Sequence, residues 1–423
     1  MSAVRRTDHR NDHRSERRDA QRGELRHVLT HLITPLLMCI GMGLAYLGAF
    51  AHPSPHHLPV AVVGSGTHAQ LLAQTINDTA HGDLEARTVP DRAAAVEQLK
   101  HQEIFGAYVM GGTGPAAGGA AASGTASGTA PGTTASGAAA PRGTAAKPAP
   151  ELLVATAGSD TSASVVQKIF TPLAARQGAP LKVTDVAPTT KDDPTGQGIF
   201  FLLVAISIGS YASVAVIGGA GAALPMRLRA VLAIGTSFVV SIIGALFAGP
   251  VFHLVDHGRW GLWGMAWLYS AGILLIGTGL HTFLKRWTTL GVMALFVMLN
   301  FTSSGGIFRP EMQNGFFAAL HSFWNGAGFV EGTRSHVYFD GYGLAGHVWT
   351  LVGWLLVGLL VVAVAALAER RRRAAEADAV ANATAVAAAA IAATVPERAP
   401  RRPAARQAQR ADAEEEMEEA VGV

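Results

Sequence analysis

The chain has one cysteine, Cys39, among its 423 residues. That excludes an intramolecular disulfide and any metal cluster built from cysteines. Acidic and basic residues make up only 15%, and none lies in the middle of a long apolar run. No G-x-x-x-x-G-K-[ST] sequence occurs, so the chain cannot supply its own P-loop ATPase. No Ser/His/Asp or paired-carboxylate arrangement stands out, so neither catalytic residues nor a bound cofactor is expected.

Apolar length is what the chain has instead. Its hydrophobic content is 49% and its mean hydropathy +0.28, values that suit a polytopic membrane protein with soluble appendages. Apolar runs occupy 28–51, 198–220, 230–251, 262–283, 288–302 and 344–367. A helix rises ~1.5 Å per residue, so runs of about 20 residues match the hydrocarbon thickness of a bilayer. The expected fold class is an α-helical polytopic membrane protein with six transmembrane helices and an extracytoplasmic α/β domain inserted between helices 1 and 2. No Asp, Glu, Lys or Arg lies inside the six runs. Ion-coupled pumps keep such groups near the midplane, so a proton-driven pump is disfavoured.

Charge sets the expected orientation. Arg5, Arg6, Arg10, Arg14, Arg17, Arg18, Arg22 and Arg26 precede the first run. Arg227 and Arg229, then Lys285 and Arg286, then Arg370, Arg371, Arg372 and Arg373 occupy alternate connections. The positive-inside rule puts these, and both termini, in the cytoplasm of a cell whose Ala/Gly/Arg-rich composition suggests a bacterium. The pI of about 9.1 is thereby explained by membrane flanks, without nucleic acid as a partner. Ala49, Phe50 and Ala51 have the small-x-small form of a signal cleavage site, but the run before them is longer than a signal core of about 7–15 residues.

The expected organisation is a basic cytoplasmic tail at 1–27, a helix at 28–51 and an external α/β domain at 52–197. A five-helix membrane domain follows at 198–368, then a disordered cytoplasmic tail at 369–423. Within the α/β domain, strands are expected at 60–63, 84–89, 105–110, 152–156 and 181–186. Helices are expected at 67–80, 91–101 and 162–177, the second capped by Asp91. Residues 111–150 are almost entirely Gly, Ala, Ser, Thr and Pro, too polar and small to offset their ordering entropy, and are expected to be disordered. Gly64, Ser65 and Gly66 imitate a dinucleotide fingerprint but read as a strand-to-helix turn. His52, His56, His57, His253 and His257 cluster near run ends, with no sign that three or four converge on a metal. Residues 375–393 have the propensity to be helical within the tail.

Two features of the membrane domain stand out. Ala205, Gly209 and Ser213 recur every fourth residue, a small-residue stripe suited to close helix packing. Ser207, Ser210, Tyr211, Ser241 and Asn300 supply polar groups for hydrogen bonds between helices. After the fifth run comes a mixed-charge loop, 303–343, with Arg309, Glu311, Glu331, Arg334 and Asp340. Ser303, Ser304, Gly305 and Gly306 break the helix, and Phe316, Phe317, Leu320, Phe323 and Trp324 recur at helical spacing. Such a segment lies in the interface or re-enters the bilayer edge, as a packed lid or as a gate.

These residues carry a resemblance. One helix, an α/β insert opening with "LPVAVVGSG" and five further helices resemble the type-2 ABC transporter permease family, in particular membrane proteins like the phage infection protein. The more specific part is "SSGGIFRPEMQNGFFAALHSFWNGAGFVEGTRSHVYFDG". Its matching positions are Ser303, Ser304, Gly305, Gly306, Pro310, Phe316, Phe317, Arg334, Tyr338, Phe339 and Gly341. The resemblance implies a permease-like exporter subunit paired with a second copy or a sister subunit, with ATP used by a separate cytoplasmic ATPase. The alternative from another class is a non-transporting scaffold or surface receptor, phage receptor-like or a secretion accessory.

Overall fold

In the computed structural model, alternating side chains build a five-stranded sheet. In β1 (Leu58–Val63), Leu58, Val60 and Val62 enter one core while Ala61 and Val63 enter another, the period-two pattern of a strand covered on both faces. With β2 (Leu84–Val89), β3 (Ala107–Val109), β4 (Glu151–Val154) and β5 (Lys182–Asp185) it forms the order β2-β1-β3-β4-β5. β1 runs parallel to β2 and β3, β4 is antiparallel to β3, and β5 is parallel to β4. Helices α2 (Thr67–Ala80) and α4 (Asp160–Arg176) cover one face, and α3 (Arg92–Lys100) covers the other. Asp91 caps α3 by accepting from the Ala94 amide at 2.8 Å, as its position in the sequence suggests.

The structure describes residues 40–41, 43–50, 53–111, 149–394 and 410. Most of the first apolar run, the tail 1–27, nearly all of 111–150 and the acidic end of the chain lie outside the described residues. The described part of the first run is helical at 40–41 and 43–50, here α1. The chain divides into two units, 1–366 and 367–423.

In the first unit the helical layer comprises α5 (Gly198–Gly219), α6 (Met226–Leu246) and α7 (Arg259–Leu284). It continues with α8 (Thr288–Met293), α9 (Asn300–Ser303), α10 (Gly315–His321), α11 (Asn325–Tyr338) and the start of α12 (Leu344–Thr394). A π-helical stretch, Phe247–Val251, extends α6 around Pro250, and another, Ala294–Leu299, joins α8 to α9. Among the described residues, four helices are long and apolar enough to cross a membrane: Gly198–Gly219, Met226–Val251, Arg259–Leu284 and Leu344–Ile391. Thr288–Ser303 is apolar but shorter, about 24 Å at the α-helical rise.

α7 is the centre of this layer: 67% of its apolar window is buried, against 22% for α6 and 17% for α12. The closest approaches fall on glycines facing bulky neighbours. A Cβ on Gly277 would lie 2.5 Å from Val214, one on Gly279 2.7 Å from Val361, and one on Gly244 2.8 Å from Ile206. In the stripe read for packing, Gly209 meets Val240 of α6, Ala205 is exposed, and the Ser213 hydroxyl donates back to the Gly209 carbonyl at 2.7 Å. Along most of α5 the knobs are its own (Leu202, Leu203, Ile206 and Val214 are buried) and α6 and α7 supply the holes, whereas at its end Gly218 receives the His281 ring of α7.

In the second unit, residues 367–394 continue the helix. The disordered tail expected from 369 is therefore corrected over 369–394. Alanine carries no helix-propensity cost, and Glu369 pairs with Arg373 at 3.6 Å across one turn.

Gly277→Ala should lower stability by about 1–3 kcal/mol through overpacking. Gly235→Ala, with nothing within 4 Å of the added carbon, should stabilise the helix by about 0.5–1 kcal/mol. Thermal unfolding of the two variants in detergent checks the contrast.

Candidate functional site

The site is built where the fifth apolar run breaks. Ser303 and Ser304 turn their hydroxyls back onto the Leu299 and Phe301 carbonyls at 2.7 and 3.0 Å. Gly305 then takes φ +74°, a conformation that a β-carbon disfavours. A Cβ there would also fall 2.6 Å from the His321 ring and 2.8 Å from a Glu331 oxygen. The break leaves the Gly305 and Gly306 carbonyls without helical partners. The Arg334 guanidinium donates to both, at 2.8 and 3.0 Å.

Arg334 is itself held by Glu331, one turn earlier on α11, at 3.1 Å. The other Glu331 oxygen accepts from Arg309 at 2.5 Å. Glu331 and Arg334 are each only 2% exposed, and Arg309 is buried too. Burial alone would raise the Glu331 carboxyl, but the charges of Arg309 and Arg334 outweigh it and hold the group at about 2. The residues read as a mixed-charge loop thus include a buried, ion-paired core. The opposite charges are paired with one another, which is the condition for burying them at all, while the Nε atoms of Arg309 and Arg334 have no hydrogen-bond partner among the described residues.

Arg309 reaches the sheet layer. It donates to the Gln102 side chain at 3.0 Å, and its guanidinium lies 5.1 Å from the centre of the Phe105 ring. Other contacts run the same way. Thr161 donates to the Ile307 carbonyl at 2.9 Å, and the His56 amide donates to the Glu311 carbonyl at 2.7 Å. His101 stacks on Tyr342 at 3.8 Å, and Lys100 pairs with Asp340 at 3.6 Å. Phe339 is buried with Ala157 and Ala187.

Toward the helical layer, Tyr269 is the hub. The Ser207 hydroxyl is spent on the Leu203 carbonyl, so the Tyr269 hydroxyl donates to Ser207 at 2.5 Å and accepts from Asn300 at 2.5 Å. The Asn300 oxygen in turn accepts from the Gly326 amide at the start of α11, at 2.6 Å. The π-helical stretch before Asn300 sets its rotation about the helix axis, a common use of such bulges.

Among the residues singled out from the sequence, Ser303, Ser304, Gly305, Gly306 and Arg334 come together at the break. Pro310 opens a short 3-10 turn, and Phe317 is buried beside Phe316, which is 60% exposed. Tyr338 donates to the Leu254 carbonyl at 3.2 Å, and the Gly341 amide closes α11 onto the Ser335 carbonyl at 2.9 Å. Sequence reading did not give Glu331 or Arg309 a role, nor Gln102 and Phe105. The i, i+3 spacing of Glu331 and Arg334 was an available signal. The pairing of Arg309 with Gln102, 207 positions apart, leaves none in the sequence. Among the described residues, no group of three or more His, Cys, Asp or Glu is placed to hold a metal ion.

Glu331→Gln should leave buried Arg334 without its counter-charge and Arg309 with only Glu311, 3.8 Å away, and cost about 3–5 kcal/mol in thermal or denaturant unfolding. Because the folded-state carboxyl is depressed, its stabilisation is complete above the ordinary 4.5 and disappears as pH falls through about 2. The stability difference between the native chain and Glu331→Gln should therefore be flat from pH 8 to pH 5 and shrink below that.

No protein-family model matches the chain, and neither a curated protein nor a solved structure matches it.

Proposed function

We propose that the chain is a permease-like integral membrane subunit of an ABC-type exporter, acting with a second permease subunit and drawing energy from a separate cytoplasmic ATPase. In this reading six helices cross a bacterial plasma membrane: 28–51, α5, α6 with its π turn, α7, α8 to α9, and the first part of α12. Both termini are cytoplasmic, and the sheet layer stands outside. The alternation of the arginine-bearing and lysine-bearing connections supports this orientation. The exposed apolar faces of α6 and α12 offer room for lipid and for the second subunit.

The observation that carries the reading is the buried joint. A segment bonded to Gln102 and Thr161, at the ends of helices that cover the sheet, and to Tyr269 and Leu254 in the helical layer, would carry a displacement from one layer to the other. A flexible tether would not. Coupling of that kind is what a transporter with an external domain requires.

One observation favours the second reading, a non-transporting scaffold or receptor. The connection between α5 and α6 spans only 220–225, which leaves no separate helix for an ATPase to grip.

Gentle solubilisation and affinity purification of the full chain should recover a P-loop ATPase whose hydrolysis rate changes when Glu331→Gln is introduced. Recovery of the chain alone would leave the scaffold reading standing. With Cys39→Ser as background, Ser65→Cys should react with a membrane-impermeant maleimide on intact cells, and protection of that position would overturn the orientation.

A further inference from the structure

At the end of the helical layer away from the joint, α5, α7 and α8 enclose a cavity of about 290 Å³. Its polar lining is Tyr211, His281, Lys285, Thr288 and Thr289, and its apolar walls include Val214 and Val292. The Lys285 ammonium and the Tyr211 hydroxyl have no hydrogen-bond partner among the described residues. Arg229 lies close enough for its positive charge to act on His281. The His281 ring packs against Gly218, where a Cβ would fall 2.5 Å from it, and this fixes the ring at the cavity edge. The mouth thus carries the Lys285 positive charge, no carboxylate lines the cavity, and it is apolar behind. The Tyr211 and Thr289 hydroxyls can donate, while that of Thr288 is spent on the Lys285 carbonyl.

The backbone at Lys285 gives a second, independent sign. Lys285 ends α7 with φ +47° and ψ −113°, a conformation suited to glycine and strained for any residue with a side chain. Residues held in such regions cluster at ligand clamps, where the surroundings over-determine them. A lysine here keeps an ammonium at the cavity mouth at the expense of backbone comfort.

We infer that this cavity binds the phosphate of an anionic glycerophospholipid, with Lys285 as the charge partner and Tyr211 and Thr289 as hydrogen-bond donors. The site lies where α7 meets the interface, and the exposed Val216, Phe283 and Leu284 on the neighbouring helix surfaces suit acyl chains. Basic cavities between helices at a membrane surface recognise head groups in this way. The inference rests on the membrane placement proposed above, but on neither transport nor an ATPase.

The test is native mass spectrometry of the full chain released from nanodiscs of equal phosphatidylglycerol and phosphatidylcholine. The native chain should retain phosphatidylglycerol over phosphatidylcholine by about fivefold, the effect of one basic group at an anionic surface. Lys285→Gly should abolish the preference with Tm unchanged or raised, because glycine suits that backbone, so the loss cannot be assigned to unfolding. Lys285→Gln should lose it as well, and Lys168→Gln, the same charge change on exposed α4, should keep it. Equal retention of both lipids by the native chain would overturn the inference, as would a preference surviving Lys285→Gly. Displacement of the lipid by millimolar inorganic phosphate would make the site one for a free anion and overturn the lipid assignment. Since nanodisc leaflets are symmetric and no nucleotide is present, failure here is separable from failure of the orientation or of the exporter reading.

Discussion

A single carboxylate between two guanidinium groups is the constraint on which the joint depends. Glu331 alone in that position would be expelled or neutralised, and Arg309 and Arg334 alone would repel each other. Together they are held only while three pieces of chain keep their places: the broken helix end at 303–306, the strap around Pro310, and α11. The need to bury the ion pairs therefore fixes the path of about forty residues. It also explains Gly305, where a side chain would meet Glu331 and His321, while the bare Gly306 admits the Phe200 ring and both carbonyls stay within reach of Arg334. Such a network is weak evidence for net stability, since apolar replacements can do as well. Its value lies in specifying one arrangement of chain.

The joint leads into a chain of neutral hydrogen bonds through Gly326, Asn300, Tyr269 and Ser207. Each donor in that series has its acceptor, so the polar thread can lie inside an apolar bundle without paying for an orphaned group. On the other side, Arg309, Thr161 and the Lys100–Asp340 and His101–Tyr342 pairs tie the strap to the sheet. The two halves of the first unit are thus held by directional contacts, whereas hydrophobic packing alone would permit sliding. At the far end of α7 the opposite condition holds: Lys285 and Tyr211 keep unspent donors around open space. Mutual ion pairing holds the joint in one arrangement, and an ammonium without a carboxylate partner marks the other end as a place for a ligand.

Legibility in the sequence followed the range of the physics. The sheet elements were readable because alternation and capping are local: α2 was expected at 67–80 and is found there, and Asp91 caps α3. Three of the long apolar helices were readable from hydropathy to within a few residues of both ends, and the fourth at its start only. The helix continuing to Thr394 was under-read because a charged, alanine-rich segment satisfies both a disorder composition and a strong helix propensity. The small-residue stripe on α5 is used only in part within the chain, where Gly209 meets Val240 of α6 while Ala205 stays exposed. Close packing needs one small partner per contact, and spacing on one helix cannot say which helix provides it. The joint was the least legible part: only its Glu331–Arg334 pair is local, the Arg309 contacts reach 22 and 207 residues away, and the charges look like those of a solvated loop until the fold buries them.

The claim that the sheet and the helices move as one body through Glu331 can be tested most directly by hydrogen exchange on the full chain and on Glu331→Ala. If the joint is as described, protection is lost in α11 and, together with it, at residues 101–106 and in the first turn of α4. Loss confined to α11, with the sheet-side segments unchanged, would contradict it.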